Sequence, residues 1–143
     1  MTELEVPFVL GDVPVPLGEF LEYLRTAGAR EWTPAPLPCG VLRGVPKSCF
    51  MNATRTSWEN PELDYCEGVA QVPDLGIWFL HAWAVDAAGN VVDPTWNEPE
   101  RCRYYGVRYC RKRYQAHLEK TMVYGVIGGD YRTARAVLEK GGL

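Results

Sequence analysis

Residues 75–96 read LGIWFLHAWAVDAAGNVVDPTW, and their reading decides the fold. Two runs rich in aromatic and β-branched residues flank Asp86-Ala87-Ala88-Gly89-Asn90. The spacing predicts one strand over Ile77–Asp86 and a second over Val91–Thr95, joined by a tight turn in which Gly89 or Asn90 takes a positive φ. With a three-residue loop, Ala87 to Gly89, Asp86 pairs with Asn90, Trp83 faces Asp93, and His81 faces Thr95. His81 and Asp93 then become diagonal neighbours on one face, with Cα atoms roughly 7–8 Å apart, a gap their side chains can bridge. A slip of one residue would put them on opposite faces.

Upstream, Ser48 is positioned to N-cap a helix that opens at Cys49, runs through Phe50, Met51 and Ala53 to Trp58, and is ended by Asn60-Pro61. A cysteine at the first helical position meets the positive end of the helix dipole and unpaired backbone N–H groups. Both favour a thiolate and an oxyanion forming beside it. Cysteine, histidine and aspartate together supply nucleophile, base and orienter. Asp93 would accept a hydrogen bond from one ring nitrogen of His81, leaving the other to take the thiol proton of Cys49.

The remaining chain surrounds this centre. Residues 1–16, with Pro7, Pro14 and Pro16, read as an extended surface arm or edge. Leu17, Phe20, Leu21 and Leu24 follow helical spacing and predict an amphipathic helix over 17–26, ending near Gly28. Pro34, Pro36, Pro38 and Pro46, with Gly40 and Gly44, make 31–47 a loop leading to Cys49. Strands are expected over Tyr65–Val72, with Gly68 inside it, and Tyr104–Tyr109. A helix is expected over 111–121. A last one begins at Asp130, buries Ala134, Val137 and Leu138, and stops at Gly141. The order of helices, antiparallel meander, then helices is an α+β pattern.

A length of 143 residues, 47% hydrophobic and 23% charged, predicts a single domain spanning 1–143. The net charge of −3 gives no reason to expect nucleic acid, and the short cluster Arg108, Arg111, Lys112 and Arg113 reads as a solvated helix face. No signal peptide and no apolar run of spanning length is visible, so the expectation is a cytosolic protein without a membrane partner. Five cysteines without a C-x-x-C pair disfavour a disulfide framework and a zinc knuckle. Cys66 and Cys102 read as buried apolar residues. His117 stands without a second histidine at ligand spacing, so no metal and no cofactor is expected.

Ser48-Cys49-Phe50, His81-Ala82-Trp83 and Asp93-Pro94-Thr95-Trp96, in that order, resemble the transglutaminase-like branch of the papain-like cysteine enzyme superfamily over roughly residues 46–110. The short chain is similar to small bacterial or phage-type members. The resemblance implies an α+β core in which a Cys-bearing helix packs on an antiparallel sheet carrying His and Asp, with Cys49 the nucleophile, His81 the base and Asp93 the orienter. Two departures stand out. Phe50 replaces the Trp that often follows the nucleophile, and 40–47 holds no Gln to match the papain-type oxyanion donor. Asn52, one turn along the helix, is a side-chain candidate for that role, but a hydrogen bond on the helix surface or in support of the site is the favoured reading. Glu67 faces either solvent or the cleft, where it would bind a cationic substrate group. Trp83 is core, pocket wall or substrate contact.

The resulting expectation is a cysteine-dependent hydrolase or acyltransferase acting on a peptide, protein or small amide through a thioester on Cys49. The alternative is a non-catalytic binding or inhibitor module that keeps the fold. Acetyl transfer from a thioester cofactor ranks last, since no phosphate-binding motif is present.

Overall fold

A computed structural model describes residues 7–10, 13–74 and 78–126. The first two strands, β1 (Pro7–Leu10) and β2 (Val13–Pro16), pair antiparallel with Pro7 opposite Pro16. The proline-rich arm is thus a two-stranded ribbon, a setting that tolerates proline because half of its N–H groups need no ladder partner. Helix α1 (Leu17–Thr26) follows at the expected boundaries. It ends where Gly28 adopts φ 94 and the Ala27, Gly28 and Ala29 N–H groups fold back onto carbonyls of its last turns.

Strand β3 (Arg30–Trp32) comes next, then helix α2 (Cys49–Glu59), strands β4 (Asp64–Gln71), β5 (Trp78–Val85), β6 (Val91–Val92) and β7 (Arg103–Tyr109), and helix α3 (Arg111–Thr121). A one-turn 3-10 helix, Pro99–Arg101, links β6 to β7. The fold is α+β: an antiparallel five-stranded sheet, ordered β3-β7-β4-β5-β6, with helices packed on it. The expected last helix from Asp130 lies outside the described residues, as do Leu75–Ile77 at the start of the opening stretch.

Three differences from the sequence reading have physical causes. The loop expected over 31–47 begins later, because Glu31 and Trp32 pair with Tyr105 and Tyr104 of β7 before the first proline of that stretch. The strand expected over Val91–Thr95 is only two residues long, because Asp93 turns its carboxylate onto the N–H groups of Thr95 and Trp96 and ends the ladder. The strands are no simple meander: β7 adds to the far side of β4 rather than to β6. There Gly68 pairs with Gly106, and a Cβ on Gly68 would stand 2.3 Å from the Tyr105 carbonyl oxygen, so only glycine permits that approach.

The hairpin has the register expected of it. Ala84 pairs with Val92 and Val85 with Val91. The Asp86 N–H donates to the Asn90 carbonyl at 3.0 Å, and Gly89 takes φ 86.

The two faces of the sheet are covered differently. Tyr65, Val69, Ala82, Val107 and Tyr109 pack with Leu24 of α1, Ala53 of α2, and Tyr114 and Leu118 of α3. Tyr114 stacks on Tyr65 with centroids 3.9 Å apart. On the other face Cys66, Ala70, Trp83, Val85, Val91 and Tyr104 pack with Trp32 and Cys102. His81, opposite Gly68, belongs to this second face.

Candidate active site

Helix α2 presents Cys49 at its first position without a side-chain cap. Ser48 occupies the N-cap but makes no side-chain hydrogen bond to the helix, contrary to the capping role expected of it. Its own N–H is drawn back to the Val45 carbonyl at 3.3 Å, closing a turn that delivers the chain into the helix. The first intrahelical bond runs from the Asn52 N–H to the Ser48 carbonyl at 2.9 Å. The N–H groups ahead of it have no intrahelical acceptor.

The β5–β6 ladder stops at Ala84–Val92, short of His81. The loop before α2 and the first turn of that helix are tied to the segment after Asp93. The Gly44 N–H donates to the Pro94 carbonyl at 2.8 Å, and the Asn52 amide donates to Thr95 Oγ1 at 2.9 Å. In this setting Cys49 lies near enough to His81 to favour its protonated form, after the larger effect of Asp93.

His81 and Asp93 meet as the register requires. His81 Nε2 lies 2.9 Å from Asp93 Oδ2, with both side chains buried. Nδ1 is the ring nitrogen left for Cys49. Asp93 is held from four sides. Oδ2 also accepts the Tyr104 hydroxyl at 2.7 Å, and Oδ1 accepts the N–H groups of Thr95 at 2.9 Å and Trp96 at 3.3 Å. Burial opposes ionisation of this carboxyl, but His81 and these donors outweigh it, and its pKa lies below the ordinary 3.8. Burial likewise opposes the imidazolium of His81. The Asp93 charge and hydrogen bond, followed by the Cys49 contact, reverse that and lift it from 6.5 to about 9. The imidazole plane is fixed by Trp96, stacked on it at 4.0 Å and 21°.

The remaining candidates are placed as follows. Asn52 is buried and its amide group is fully used: Nδ2 donates to the Val45 carbonyl at 2.7 Å and to Thr95, while Oδ1 accepts the Val45 N–H at 3.2 Å. It splints the loop before Cys49 to the segment after Asp93 and has no N–H left for an oxyanion. Glu67 faces neither solvent nor the cleft; it is fully buried on the helix-covered face of the sheet, where Oε2 accepts the Val126 N–H at 2.9 Å. Trp83 is fully buried, edge-on to Tyr104 at 5.0 Å, and no part of it is open to a substrate. It forms the floor beneath His81.

Sequence reasoning did not single out Tyr104, whose hydroxyl reaches Asp93 from β7, nor Trp96 as the ring lying on His81. The alternation along β7 places Tyr104 inward, but its meeting with Asp93 depends on β7 pairing with β4. Cys66 and Cys102 are buried as expected. Among the described residues no group of histidine, cysteine and carboxylate side chains forms a metal site, and no helix is long and apolar enough to cross a membrane.

No protein-family model, no curated protein and no solved structure matches this chain.

Proposed function

We propose that this chain is a thiol enzyme with a Cys49–His81–Asp93 triad and a transglutaminase-like, papain-like core, acting on an amide as a hydrolase or acyltransferase. The observation that carries the reading is the relay itself. A buried Asp93 holds His81 Nε2 at 2.9 Å, and the partly exposed Cys49, first residue of α2, is close enough to add to the upward shift of the same ring. A charged imidazole buried with a fully satisfied carboxylate is costly to build for packing alone. Beside a partly exposed thiol it supplies a cation and a proton acceptor, the partner a thiol nucleophile needs.

In the first half-reaction the Cys49 thiolate attacks the amide carbonyl carbon, and the oxygen takes up the negative charge beside the free N–H groups of the first turn of α2. The imidazolium of His81 gives its proton to the nitrogen, the C–N bond breaks, the amine leaves, and the acyl group stays on Cys49 as a thioester. In the second half-reaction His81 takes a proton from water or an amine as it attacks the thioester, and the thiolate and imidazolium are restored. Water as acceptor makes the chain a protease or amidase; an amine makes it an acyltransferase.

Alkylation of the native protein with iodoacetamide from pH 5 to 9, with the modified cysteine mapped by mass spectrometry, tests this reading. Fast labelling of Cys49 at pH 6, slowed by His81→Ala, is the expected result. Labelling of Cys49 no faster than exposed Cys39 and Cys110 would sink the enzyme reading and leave a binding module.

A further inference from the structure

We propose that Tyr104 is a positioning residue of the triad: its hydroxyl, donating to the same Asp93 oxygen that receives His81 Nε2, divides that oxygen between two donors and so sets how strongly Asp93 holds the imidazolium. This rests on the triad reading above but is read out separately from it. Tyr104 is almost completely buried on β7, and its O–H to Asp93 Oδ2 distance is 2.7 Å, shorter than the 2.9 Å from His81 Nε2. Asp93 Oδ1 is already occupied by two backbone N–H groups, so the pull on His81 is governed by Oδ2 alone.

The surroundings leave few other groups to do this. His81 meets Cys49 from α2, Asp93 from beyond β6, and the rings of Trp83, Trp96 and Tyr104. Cys102 lies near both Tyr104 and Asp93 and is pushed toward its neutral thiol by burial and the Asp93 charge. The Tyr104 phenol is held neutral by burial and by the adjacent carboxylate, so it acts as a donor and never as a charge.

A hydrogen bond from a neutral phenol withdraws charge from a carboxylate oxygen and weakens its hold on a second donor. Tyr104 therefore keeps the imidazolium acidic enough to give its proton to a leaving amine. Without it the imidazolium should be held more tightly, and proton transfer should slow.

The test is Tyr104→Phe, read by NMR titration of the histidine rings, of which the chain has two, His81 and His117. The expected result is an upward move of the His81 midpoint with His117 unmoved. Cys49 alkylation at pH 6 should be kept or raised. On an amide substrate found by screening, kcat should fall about three- to tenfold with KM little changed, the size expected of one hydrogen bond. A second measurement separates this from lost packing: in an Asp93→Asn background, Tyr104→Phe should leave the His81 midpoint where Asp93→Asn alone puts it. An unmoved His81 midpoint in Tyr104→Phe, or the same shift with and without Asp93, overturns the proposal. If Cys49 alkylates slowly in the parent protein the triad reading fails, and the histidine titration still decides whether Tyr104 tunes the pair.

Discussion

Asp93→Asn is the perturbation that tests the site most directly, because one atom of Asp93 carries both the electrostatics and the orientation. The substitution keeps an acceptor for the Thr95 and Trp96 N–H groups, so the turn after β6 should survive. Its amide nitrogen, however, replaces the oxygen that accepts His81 Nε2 and the Tyr104 hydroxyl. His81 must then switch tautomer, and the burial that disfavours the imidazolium stands unopposed by a carboxylate. In the parent protein His81 rises from 6.5 to about 9. At about 1.4 kcal/mol per tenfold change in proton affinity, that preference is worth about 3 kcal/mol. Because the folded value is raised, this stabilisation is present in full below pH 6.5 and is lost as pH climbs through about 9. Urea melts should therefore show the parent protein losing about 3 kcal/mol across that window, while Asp93→Asn is less stable at pH 6 and nearly flat over the same range. Alkylation of Cys49 at pH 6 should fall, because His81 no longer carries its charge beside the sulfur. Equal alkylation rates and parallel pH–stability curves would falsify the assignment of Asp93 as orienter.

Other perturbations follow from the same contacts. His81→Ala should reduce Cys49 alkylation at pH 6 to that of the exposed thiols and cost about 3 kcal/mol, because it leaves a buried carboxylate without its cation; chemical denaturation and labelling kinetics read the two effects. Asn52→Ala removes three hydrogen bonds and should destabilise by about 2–3 kcal/mol, with proteolysis appearing within 40–47 while the pH dependence of Cys49 labelling keeps its shape. Gly106→Ala would push a Cβ to 2.6 Å from the Glu67 carbonyl oxygen and 2.7 Å from the Trp83 ring. It should cost about 3 kcal/mol or more by forcing β7 from β4, seen as loss of the native melting transition.

The hairpin was legible because its turn is local. Asp86, Gly89 and Asn90 fix the loop length, and a fixed loop length fixes which side chains share a face. The start of α2 at Cys49 was legible from nearby residues too, although Ser48 does not cap it with its side chain. What escaped depends on contacts between distant segments. No local signal says that Gly68 meets Gly106, yet that meeting puts β7 beside β4 and brings Tyr104 to Asp93. Glu67 was ambiguous because a carboxylate in a strand can be buried only if donors come to it, and one of them is the N–H of Val126, beyond α3. For Asn52 an oxyanion role and a supporting hydrogen bond both fit the sequence, and the structure gives the supporting bond. Gly44 and Val45 close over Asn52 so tightly that a Cβ on Gly44 would stand 2.2 Å from its amide carbon.

The site is asymmetric in a way that links its stability to its chemistry. Asp93 is fully buried and His81 nearly so, and every oxygen lone pair that Asp93 points into the protein meets a donor; Cys49 alone is partly open. A thiol reagent therefore meets Cys49 before it meets the His81–Asp93 pair, whose strength depends on staying dry. The same dryness makes the pair expensive whenever it is incomplete. A polar group left unmatched there costs stability as well as reactivity, so labelling rate and melting behaviour should fall together in variants of His81 and Asp93. In Tyr104→Phe they should separate, since the phenol adjusts the strength of the pair without supplying either charge.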